Sequence, residues 1–188
     1  MQQRLAELFS YMDSTRERLL ATVRDLNPSF AGVRCHGDSW SAEETLAHLA
    51  IVEERIARLV EEGVEWAKAN DIGPEKSDES ILSSLDQFSL TEAIEKRKAS
   101  AAITPHEGKS VEESVAALVA WRARLKAALM AGQGFNLDEV RKPHPQTGSM
   151  SMHQWALFSA QHEERHRKQI EKTMDEVTEL AAESAPIV

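Results

Sequence analysis

The chain has a single cysteine, Cys35, in 188 residues. A disulfide within the chain is therefore impossible, and a zinc site built from several thiolates is excluded. One reduced thiol fits a cytoplasmic protein. The segment Met1-Gln2-Gln3-Arg4-Leu5 lacks the apolar core of a signal peptide. No apolar run approaches the length needed to span a bilayer. Basic residues are also short: 22 Lys and Arg face 31 Asp and Glu, for a net charge of −9. The only basic clusters, Lys96 to Lys98 and Arg165 to Lys168, are brief and mixed with acids. Nucleic acid is thus not expected as a partner, because phosphate binding gathers Lys and Arg on one face. Strand signals are missing too, with no sustained alternation and no Asn-Gly hairpin.

What is present is helical periodicity. Leu5, Leu8, Phe9, Met12, Leu19, Leu20, Val23 and Leu26 form one stripe, ended by Pro28. A second helix begins at Ser41, where Ser41 and Glu44 make a capping box. It continues through Leu46, Leu49, Val52, Ile56 and Val60 to about Gly63, or a turn or two beyond. A third opens on Ser110 and Glu113 and ends at Gly132. A fourth opens on Ser151 and Gln154 and carries Trp155, Ser159, His162, His166, Gln169, Ile170 and Val177 on one broad face. The stretch 64–109 is expected to be a long connection, with short helices near Ile81 to Phe88 and Thr91 to Ala102. The expected fold is all-α: a four-helix bundle with a long crossover between helices two and three. Residues 1–180 make one domain and 181–188 a flexible tail.

His162 and His166 are the most informative residues. At 3.6 residues per turn they lie about 40° apart around the helix axis, and Gln169 continues the polar column. The i,i+4 spacing is common, and by itself it fits a solvated or otherwise satisfied pair equally well. Here, however, the pair interrupts an apolar stripe. His48 likewise shares its helix face with Val52, Ile56 and Leu59. Three imidazoles meeting in a core are costly unless something compensates them, and a divalent ion does so. Three protein ligands leave a coordination position open, as catalytic sites do. Water or a thiol bound there would have its pKa lowered.

Other residues read more plainly. Glu44 can orient His48, but the capping box accounts for it. Glu163 is expected to be a surface carboxylate rather than a general base. Arg122, a charge on an apolar stripe, fits either a substrate carboxylate or a core acid. Cys35 reads as a bystander, and His153 points away from the pair. His36, His106 and His144 fall in loops and read as solvated, His144 toward the mouth of the bundle. Trp155 fits a wall of the site.

Trp40-Ser41-Ala42-Glu43-Glu44-Thr45-Leu46-Ala47-His48-Leu49 resembles the second-helix motif of the DinB-like superfamily, W-S-x-x-E-x-x-x-H-L. His144-Pro145 through Gly148, then Trp155, then His162 through Ile170 resemble its last-helix motif, H-x-x-R-H-x-x-Q-I. The resemblance runs in order from about Leu5 to Lys172. Ala42 stands where proline is frequent in the family, and 71–104 matches no pattern. The resemblance implies a four-helix bundle, a divalent metal held by His48, His162 and His166, and a homodimer. It includes bacillithiol S-transferases, mycothiol-dependent maleylpyruvate isomerases and proteins described as metal-dependent hydrolases.

The expected function is therefore a metal-dependent enzyme acting on a small electrophile with a low-molecular-weight thiol. The rival is hydrolysis of a small amide or ester. A non-catalytic metal-binding stress-response module is the reading from another class. Zinc is the expected ion, with nickel next.

Overall fold

The computed structural model describes residues 2–37, 39–92, 99–105 and 109–183. Helix α1 spans Gln3–Arg24, α2 Ala42–Ala69, α3 Val111–Ala131 and α4 Met152–Glu183. All three capping boxes form. Ser41 and Glu44 close α2, and Ser110 and Glu113 close α3. At α4 the Gln154 amide N–H donates to Ser151 Oγ, and the Ser151 amide donates to Gln154 Oε1. Each box satisfies two of the amides that open a helix. Helix α1 packs on α4, and α2 packs on both α3 and α4.

In its described residues, the long connection between α2 and α3 is largely irregular, with a few turns. It carries two single-turn 3-10 helices, Asp86–Phe88 and Ala101–Ile103. The helix expected at Ile81 to Phe88 is reduced to that last turn. Of the one expected at 91–102, residues 93–98 lie outside the described residues. Among the described residues no helix is long and apolar enough to cross a membrane.

The expectation of no strands is corrected by a short antiparallel hairpin before α4, β1 Arg141–His144 and β2 Gly148–Ser151. Its register pairs Arg141 with Ser151 and His144 with Gly148. Gly148 takes φ +75°, a backbone state that glycine reaches without a Cβ clash. Pro143 sits in β1, which a two-strand ribbon tolerates because both strands are edges. Met150 is buried, so the hairpin is pinned to the bundle end.

The core divides into two apolar clusters. The larger contains Met12, Ile56, Leu125 and Ala160; the smaller contains Leu19, Leu49, Leu118 and Ile170. Between them lies a layer of four mutually paired buried charges, one from each helix: Arg16, Glu53, Arg122 and Glu163. Arg16 and Arg122 each pair with both carboxylates. Arg16 Nε donates to Glu163 Oε2 at 2.8 Å, and Arg16 also donates to the Leu118 carbonyl at 2.6 Å. Two cations on two anions give a charge-balanced layer. Sliding any helix by a turn would bury one of these charges without its partners, so the layer fixes the bundle's register.

Gly63 sets the approach of α2 to the start of α4. A Cβ built there would fall 2.3 Å from the Met152 sulfur.

Candidate metal centre

His48 comes from α2, on the side of the charged layer where the smaller apolar cluster lies. Its neighbours Leu46 and Leu49 anchor that helix face in this cluster. His162 and His166 leave successive turns of α4 above Ile170. Packing of α2 on α4 brings the three rings together. Ring centroids lie 5.2 Å apart for His48 and His162, 4.9 Å for His48 and His166, and 4.4 Å for His162 and His166. The Nε2 atom of His162 is 3.4 Å from that of His48 and 3.1 Å from that of His166.

These spacings suit a shared ion. Tetrahedral bonds of about 2.0–2.1 Å place ligand nitrogens roughly 3.3 Å apart. The proton arrangement suits it as well. His48 Nδ1 lies 2.7 Å from the Ile103 carbonyl, which can only accept, so Nδ1 carries the proton and Nε2 presents a lone pair. His166 Nδ1 lies 2.9 Å from Gln169 Oε1 and is fixed in the same way. Two lone pairs therefore face the same His162 nitrogen, which has at most one proton to give. A cation at their centre satisfies all three at once. Such anchoring of the distal nitrogen is the usual support of a ligating histidine.

Burial drives the His162 pKa well below its ordinary value, helped by repulsion from His166 and His48. Burial also pulls His166 down to about 3 and lowers His48, where the Ile103 carbonyl opposes the effect. The imidazoles are thus neutral near pH 7, the form that ligates metal. Among the described residues no carboxylate joins this cluster.

An aromatic wall surrounds the site. Trp40 stands 4.8 Å from His48. Phe158 stacks on His162 at 5.4 Å and an interplanar angle of 23°. Trp155 meets Phe158 edge-on at 5.9 Å. Trp155 is thus a wall residue, as expected. Phe158 is an addition to the residues expected from sequence; its signal is its place four residues before His162 on the same face. The Ile103 carbonyl could not be found from sequence, because any residue supplies a carbonyl.

Other residues fall as follows. Glu44 is the capping partner and also pairs with Arg34, not with His48. Glu163 is corrected from surface carboxylate to buried member of the charged layer. Arg122 pairs with core acids. Cys35 donates to the Thr173 carbonyl at 3.2 Å. His36 is exposed, and His106 lies outside the described residues. His144 is corrected from solvated loop residue to half-buried end of β1, its ring against Trp155 and Phe158.

His153 points away from the site as expected. It joins Glu75 and Asp138 in a second cluster with the spacing of metal ligands. That cluster already holds a cation: the Arg4 guanidinium pairs with both carboxylates, at 2.7 Å for Asp138.

Comparison with known proteins agrees with this architecture. A solved structure described as "Crystal structure of TT2238, a four-helix bundle protein" is 22% identical, with a TM-score of 0.53. The alignment covers 89% of this chain and 98% of that one, a likeness that speaks for the fold. No curated protein matches the chain. The family model of the DinB superfamily matches residues 11–170, a span that includes His48, His162 and His166. The chain belongs to the DinB superfamily.

Proposed function

We propose that His48, His162 and His166 hold one divalent ion, zinc in first place and nickel next, and that the site belongs to a thiol-dependent transferase or isomerase. The observation that carries this reading is the convergence of three Nε2 atoms with two of the distal nitrogens pinned. A bound ion would supply Lewis acidity, lowering the pKa of a coordinating thiol or water. The protein's own part is positional. His48 and His166 keep their lone pairs aimed inward, and Phe158 and Trp40 present apolar surface that favours a small organic ligand over bulk water. In the transfer, the thiol loses its proton to solvent, its sulfur bonds to the electrophilic carbon, and the leaving group departs with its electron pair.

Hydrolysis is the weaker reading because of the nearby carboxylates. Glu163, next to His162, is held by Arg16 and Arg122, and Glu44 by Arg34. Neither is placed to take a proton from water. The proposal includes a small-molecule substrate, a cytoplasmic setting and a homodimer; the dimer rests on family membership alone.

The test is a conjugation assay with monochlorobimane and a panel of low-molecular-weight thiols, run beside an ester and amide panel. Metal-dependent acceleration of conjugation, lost in His162→Ala, supports the reading. Ester or amide turnover alone would favour hydrolysis. Metal binding without turnover of either panel would favour the non-catalytic module.

A further inference from the structure

His144 lies outside the three-histidine cluster, yet its surroundings are built with some care. Its Nδ1 accepts the backbone N–H groups of Gln146 at 3.2 Å and Thr147 at 3.3 Å. Two donors on Nδ1 leave the ring proton on Nε2. The hairpin therefore holds this imidazole in one tautomer, as an N–H donor. Among the described residues no hydrogen bond uses that donor, and the residue is only half-buried. The ring rests 4.7 Å from Phe158 and stands edge-on to Trp155 at 5.3 Å. Phe158 in turn stacks on His162. One phenyl ring thus separates the His144 imidazole from the three-histidine centre.

Among the described residues, the fully buried Trp155 Nε1 has no hydrogen-bond partner. Buried indole N–H groups ordinarily find one. The Trp155 N–H is closed to solvent, however, so the His144 N–H, on its aromatic floor of Phe158 and Trp155, is the donor open to a ligand.

We propose that His144, Trp155 and Phe158 form a substrate subsite that takes a neutral carbonyl group, such as an amide, through the His144 Nε2–H. The inference rests on the metal reading above, because the rest of the ligand is held at the three histidines. It adds the substrate class: a small thiol or electrophile with a carbonyl a few bonds from the reacting atom. Burial lowers the His144 pKa, so the donor is neutral and favours a carbonyl over a carboxylate.

The test compares two thiols of similar size, 3-mercaptopropionamide and 1-butanethiol, on cobalt-loaded protein. The thiolate-to-cobalt absorption band reports binding directly, with no catalysis required. The wild type is expected to bind the amide about tenfold more tightly, the contribution of one well-placed hydrogen bond. His144→Phe keeps an aromatic ring and removes the donor. It should bind 1-butanethiol unchanged and lose the preference for the amide. His144→Gln returns an N–H near the Nε2 position and should recover part of it. Equal preference in wild type and His144→Phe overturns the subsite while leaving the metal reading intact. A cobalt protein that binds neither thiol also overturns it. Failure to take up cobalt overturns the metal reading and the subsite together.

Discussion

Nδ1 of His166 lies 2.9 Å from Oε1 of Gln169, one turn further along α4. This contact fixes the ring's tautomer and its rotation about the Cβ–Cγ bond. Gln169→Leu should weaken metal binding by about 10- to 100-fold, the usual consequence of removing such support. Competition with a chromogenic chelator measures it. Helical content should not change. An unaltered metal affinity would mean that the contact does not hold the ligand.

The charged layer across the bundle makes a different prediction. Glu53 accepts from both Arg16 and Arg122, and Ser159 Oγ lies 3.4 Å from it. Glu53→Ala leaves two guanidinium groups sharing one carboxylate in the core. It should cost about 3–5 kcal/mol of stability, the range for breaking a buried pair from one side. Urea unfolding followed by circular dichroism reads this as a lower midpoint. Replacing the whole layer with apolar residues should cost far less.

Acid stability should depend on Asp138. Burial raises its pKa, but the hydrogen bonds and charges of His153 and Arg4 outweigh this and hold the carboxyl far below its ordinary 3.8. A depressed folded value stabilises the protein above the unfolded pKa, and that contribution is lost as pH falls toward the folded one. The wild type should therefore lose stability steadily below about pH 4. Asp138→Asn should be less stable at neutral pH and show a shallower acid loss. Thermal melts from pH 7 to pH 3 check both.

Gly63 supplies a packing test. Its Cα hydrogens face Met152, and a Cβ would strike the Met152 sulfur. Gly63→Val should cost about 1–3 kcal/mol through overpacking, measured by urea unfolding. Because the same contact spaces α2 from α4, it should also reduce metal affinity, with His48 displaced from the α4 pair.

The helices and the three histidines were legible in the sequence because each rests on local rules. Capping boxes at Ser41, Ser110 and Ser151 mark helix starts within a few residues, and apolar periodicity marks the faces. His48, His162 and His166 stood out as polar interruptions of those faces. The burial of Glu163 has no sequence signal, because its partners Arg16 and Arg122 come from other helices and only packing reveals a buried ion pair. The hairpin was hidden because four-residue strands containing Pro143 carry no alternation to detect. The half-buried setting of His144 has no sequence signal for the same reason. The support of His48 is a main-chain carbonyl, which leaves no mark on residue identity.

The proposed function stands on a single divalent ion shared by His48, His162 and His166. Elemental analysis of untagged protein, purified without chelator, tests it most directly. About one zinc or nickel ion per chain is expected, lost in His162→Ala with the helical signal intact. Protein that cannot be loaded with either ion, or a His162→Ala variant that keeps a full complement, would contradict it.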